Sequence, residues 1–115
     1  RGACSGNGRG LVSRNAVEMT GRLVELEPLR HTPAGMPLVH FTLAHASTQI
    51  EAGHERRVEC EVKGVALGEP ATSMARLKAG DEITVHGFLN RKNRMSAQLV
   101  LHATRTELLK DRDHA

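Results

Sequence analysis

The stretch Val17-Glu-Met-Thr-Gly-Arg-Leu-Val-Glu-Leu26 decides how the rest of the chain is read. Val17, Met19 and Leu23 alternate with Glu18, Thr20 and Arg22, and Gly21 falls in the apolar phase. Successive strand side chains point to opposite faces, so this pattern describes a strand with one buried face. Beyond Leu23 the phase inverts: Val24 and Leu26 are apolar, Glu25 and Glu27 polar. An inversion inside a strand calls for a bulge or a sharp bend, and Gly21 is the natural place for one. A strand whose halves face different directions is what the corner of a small closed barrel requires.

Outward from this corner, the strand period of two recurs four times. Residues 28–37 hold Pro28, Pro33, Gly35 and Pro37 and read as a loop. A second strand sets Val39, Phe41 and Leu43 against His40 and Thr42, with His45 following, and residues 47–53 turn the chain. In the third, Val58, Cys60 and Val62 share the inward phase while Arg57, Glu59, Glu61 and Lys63 face out. Cys60 is therefore expected to be a small buried hydrophobe. The pattern then changes: Met74 and Leu77 lie three apart, Pro70 suits a first helical turn and Gly80 a C′ position, which predicts a short helix over 71–78. The fourth strand has Ile83, Val85 and Leu89 against Thr84, His86 and Phe88, with Gly87 in the apolar phase. A polar hairpin connection over 90–96 leads to the fifth, with Leu99, Leu101 and Ala103 against Gln98, His102 and Thr104, running on toward Leu108. Three strands, a helical link and two strands make an all-β chain. It matches a five-stranded OB-fold, a Greek-key barrel with a short helical link between strands 3 and 4, better than a sandwich of about seven strands. An SH3-like barrel is the nearest rival, but its link follows strand four.

A chain of 115 residues has room for one core. The expected division is a flexible N-terminal arm over 1–14, the OB-fold over 15–109 and a polar tail over 110–115. No stretch has the apolar core of a secretory signal, and no apolar run approaches the roughly 20 residues of a spanning helix, so no membrane partner is expected. Two cysteines cannot build a disulfide framework or a four-ligand zinc site. The seven histidines show no metal-ligand spacing, and there is no Walker-type loop, nucleophile elbow or carboxylate pair. The expectation is a protein that is not an enzyme and has no cofactor and no metal.

Charge points to the surface that matters. The chain carries 16 Lys+Arg against 13 Asp+Glu, but Arg1, Arg9 and Arg14 belong to the arm, which leaves 13 against 13 over 15–115. Local clustering must therefore carry any argument for a nucleic-acid partner. The densest cluster is Arg91, Lys92 and Arg94 between strands four and five. In an OB-fold that loop is one wall of the ligand groove. The loop between strands one and two adds Arg30 and His31, and the outward face of strand three adds Arg57 and Lys63. The candidate DNA contacts are Arg30, Arg57, Arg91, Lys92 and Arg94, with Arg56 and Lys63 as second choices. Glu59 and Glu61 oppose them on the same face. The chain has two aromatic residues, and only Phe88 is in an outward phase, so stacking is scarce. Binding driven by Arg and Lys charge, sensitive to salt and indifferent to base sequence, is the expectation.

Gly21, Pro33-x-Gly35-x-Pro37-x-x-x-Phe41-x-Leu43-x-His45, Gly80-Asp81-x-Ile83-x-Val85-x-Gly87-Phe88 and Val100-Leu101-His102-Ala103 occur in a joint order. With it the chain resembles the primosomal replication protein N (PriB) family, bacterial replication-restart proteins akin to the single-stranded DNA-binding proteins. The resemblance runs from about Asn15 to Leu109. It implies a cytoplasmic homodimer of OB-folds that binds single-stranded DNA without sequence choice. It also implies a place in the primosome beside the PriA helicase and other primosome proteins. By position, Arg30 matches a basic contact of the family's first loop, and Arg91, Lys92 and Arg94 its basic loop before strand five. Where the best-known member has a groove tryptophan, an arginine and a phenylalanine, this chain has Glu59, Ala46 and His54. Those departures leave an alternative, an OB-fold interaction module that mainly binds or stimulates the helicase and holds DNA weakly.

Overall fold

The structure, a computed structural model, describes residues 13–109. Its elements are β1 (Val17–Leu26), β2 (Arg30–His31), β3 (Pro37–Glu51), β4 (His54–Leu67), α1 (Glu69–Met74), β5 (Glu82–Arg91) and β6 (Leu99–Leu108). The strands lie in the order β1-β5-β6-β4-β3-β2, and β1 also pairs with β3, which closes the sheet into a barrel. Five long strands and one short helix in this order are the expected OB-fold. All pairings are antiparallel except β4 with β6, where Gly64, Val65 and Ala66 run parallel to Leu101, His102 and Ala103. The expected arm and tail, apart from Ser13 and Arg14, lie outside the described residues.

The corner strand works as its sequence suggests, with one shift of place. Val17 to Arg22 pair with β5, and Arg22 to Leu26 pair with β3. The register breaks between Leu23 and Glu25, so the bulged residue is Val24 and not Gly21. Gly21 serves closure differently. A Cβ there would press on the Ala44 carbonyl and sit 2.9 Å from Leu43 Cγ. Its missing side chain lets β3 come close at the point where β1 passes from one neighbour to the other.

The core is the inward phase of the strands: Leu23, Val39, Leu43, Ile83, Val85 and Leu101 are fully buried, and Phe41 and Ala103 nearly so. Phe41 lies over Gly64, whose absent Cβ leaves room for the ring. Helix α1 closes one end of the barrel with Ala71 and Met74, both fully buried. It starts at Glu69 and ends at Met74, earlier than the 71–78 read from sequence, with Pro70 in its first turn. Gly80, at φ 102°, belongs to the next turn, where its N–H donates to the Leu23 carbonyl at 2.6 Å.

Two further differences share one cause, the continuous pairing of β3 with β4. The second strand runs to Glu51 rather than ending near residue 46, and the turn shrinks to Ala52 and Gly53, both at positive φ. The β3–β4 hairpin is paired continuously from Leu38–Leu67 to Glu51–His54. The last β3 residue paired to β1 is Ala44, so about seven residues, roughly 24 Å, project beyond the barrel as a two-stranded arm. Cys60, expected to be buried, sits opposite His45 on this arm and is exposed. It keeps the inward phase, but no second layer among the described residues reaches that far. In the loop read over 28–37, Arg30 and His31 form a short strand against Leu38 and Pro37, held by a turn at Thr32–Gly35.

Candidate nucleic-acid interface

The outward phase of β3, β4 and β6 lines a groove of about 600 Å³ on the barrel's outer face. Leu38, His40 and Thr42 come from β3, Lys63, Val65 and Leu67 from β4, and Val100 and His102 from β6. Glu25, Glu27 and Arg30 wall one side, and Lys92 and Gln98 the other. The register explains the assembly. His40 pairs with Val65, Val65 with His102, and His102 with Phe88, so four strands set one side chain each in a row across the sheet. At about 4.8 Å per strand the row spans roughly 14 Å. Val65, 7% exposed, forms its floor, and Phe88, 37% exposed, ends it.

Three cations from distant segments meet at this groove: Arg30 from β2, Lys63 from β4 and Lys92 from the loop before β6. Lys63 and Lys92 make no salt bridge among the described residues, whereas Arg30 Nη2 lies 3.4 Å from Glu27 Oε1. Glu25 accepts a hydrogen bond from Thr42 Oγ1 at 3.4 Å, which holds its carboxylate against the groove wall. The groove thus carries three fixed positive and two negative charges, with apolar ground between them. That composition suits a flexible polyanion whose bases and sugars also need an apolar surface.

A model described as another single-strand binding protein family matches residues 15–105. The replication restart protein PriB of Nitrosomonas europaea is 40% identical over 98 residues, covering 85% of this chain and 91% of that protein. The chain belongs to the PriB family of replication restart proteins. The PriB crystal structure from Ralstonia solanacearum superposes with a TM-score of 0.77 at 32% identity, covering 84% of this chain and 98% of that one. The single-stranded DNA binding protein of Thermus aquaticus superposes at 0.70 and 28% identity, over 91% of this chain and 53% of that one.

Among the residues singled out from sequence in this PriB-family chain, Arg30 and Lys92 line the groove, and so does the second choice, Lys63. Arg91 and Arg94 share the hairpin with Lys92, Arg91 Nη1 reaches the Arg94 backbone carbonyl at 3.5 Å, and neither residue lines the groove. Arg57 lies six residues from Lys63 on β4, roughly 20 Å away along the arm. Its Nε is tied to Glu59 Oε2 at 2.8 Å. Arg56, on the opposite face, pairs with Glu51 at 3.1 Å. The basic residues therefore do not form one continuous patch. The sequence reading missed the part played by His40, Val65 and His102, because which strands lie side by side is set by the parallel β4–β6 pairing, and no local pattern encodes that. Phe88 in an outward phase was legible; its partner was not.

Proposed function

We propose that this PriB-family protein takes single-stranded DNA along the outer-face groove, without sequence choice, as an accessory of replication restart. One observation carries the reading: Arg30, Lys63 and Lys92, from three separate segments, converge on a single apolar-floored channel. Each cation neutralises a phosphate and releases a counterion, while Val65, Val100 and Leu67 shelter the nucleoside faces. Arg91 and Arg94 lie on the same hairpin, close enough to guide the strand in, and Arg57 on the arm acts at most as a distant contact. The protein works without catalysis, in the cytoplasm, as a homodimer in the primosome with the PriA helicase as its partner. Uncovered arm residues such as Ile50, 69% exposed, support a second copy or partner over the arm. A helicase-binding role with weak DNA contact is the alternative, and Glu25 and Glu27 in the groove wall favour it.

Amide chemical shifts recorded during titration with a short oligo-dT test this site. Shifts concentrated at residues 38–42, 63–67, 92 and 98–102 are expected. Shifts confined to the arm beyond Ala44, with the groove silent, would move the DNA elsewhere.

A further inference from the structure

The row His40, Val65, His102, Phe88 contains a detail that phosphate binding leaves unused. The Phe88 and His102 rings lie 5.1 Å apart between centroids with 7° between their planes, a stacked pair. Their residues are direct cross-strand neighbours, and Gly87 fixes that register. A Cβ on Gly87 would overlap the His102 carbonyl, so glycine permits the bulge that places Phe88 opposite His102. His102 lines the groove, Phe88 is 37% exposed beside it, and Val65 forms the apolar floor next to His102.

We infer that His102, backed by Phe88, is a stacking platform for one nucleobase seated over Val65. The inference rests on the reading of the groove as the DNA site and adds the contact that engages a base rather than a phosphate. Imidazole offers a flat face to any base, so the platform tolerates every sequence. Phe88 holds that ring in orientation, and a stacked aromatic neighbour reduces the ordering cost of presenting it.

The test is fluorescence anisotropy with a labelled oligo-dT and with an abasic oligonucleotide of the same length and charge. His102→Leu keeps apolar bulk and removes the flat face. It is expected to weaken oligo-dT binding about tenfold, within the range for one stacked base, and to leave abasic binding and the salt slope unchanged. His102→Phe is expected to restore oligo-dT binding to within about twofold of the parent, and Phe88→Leu to give an intermediate loss. Equal losses on both oligonucleotides, or no loss from His102→Leu on either, overturn the platform. The groove reading fails separately, if Lys63→Ala with Lys92→Ala leaves oligo-dT affinity unchanged.

Discussion

Removing the groove cations should change how binding responds to salt more than how the protein folds. Lys63 and Lys92 are exposed and make no salt bridge among the described residues, so their replacement by alanine leaves no buried charge unpaired. Each phosphate neutralised on a single strand contributes about 0.7 to the slope of log affinity against log salt. The double variant Lys63→Ala/Lys92→Ala should therefore flatten that slope by about 1.4. Between 50 and 200 mM salt, the parent should lose about sevenfold more affinity than the variant. Adding Arg30→Ala should give less than another full 0.7, because Glu27 already holds that guanidinium at 3.4 Å. The internal control is Arg56→Ala/Arg57→Ala, whose side chains are paired to Glu51 and Glu59 on the arm. It removes as many charges and should leave the slope within about 0.3 of the parent. The assay is anisotropy with labelled oligo-dT at four or five salt concentrations, with thermal unfolding of each variant as a folding check. A groove double variant with the parent's slope, or an arm variant that flattens it equally, would refute the reasoning. Either result would mean that overall charge, not the geometry of the channel, holds the strand.

Two other outcomes follow from the same geometry. Glu25→Gln/Glu27→Gln should tighten oligo-dT binding by about two- to fivefold at low salt, with the gain shrinking as salt rises, because two carboxylates leave the channel and Arg30 loses its competitor; a weaker complex would favour the helicase-binding reading. Gly87→Ala should lower the unfolding free energy in urea by about 3 kcal/mol or more, since the new methyl meets backbone at His102 and Ala103 that cannot step aside; a loss under about 1 kcal/mol would show that the β5–β6 bulge relaxes freely.

The sequence by itself determined the strands and their buried faces. Leu23, Val39, Phe41, Leu43, Ile83, Val85, Leu101 and Ala103 were readable as core because burial on one face of a strand imposes a period of two that needs no knowledge of the partner strand. The corner in β1 was readable for the same reason, since its phase inversion is local. The tertiary structure alone decided how far each ladder continues, where the bulge falls and which side chains become neighbours. Backbone pairing carries β3 and β4 past the barrel with no core of the described residues beneath them, so Cys60 keeps a buried residue's phase yet is exposed. Closure moves the bulge to Val24, two residues past Arg22, where β1 changes partners. Of the cations, Lys63 faces the channel while Arg57, in the same phase of the same strand, is spent on Glu59 outside it. Phase tells which face a side chain takes; only barrel closure and the parallel β4–β6 register tell which other side chains share that face. The channel and its stacked ring pair are products of that second choice.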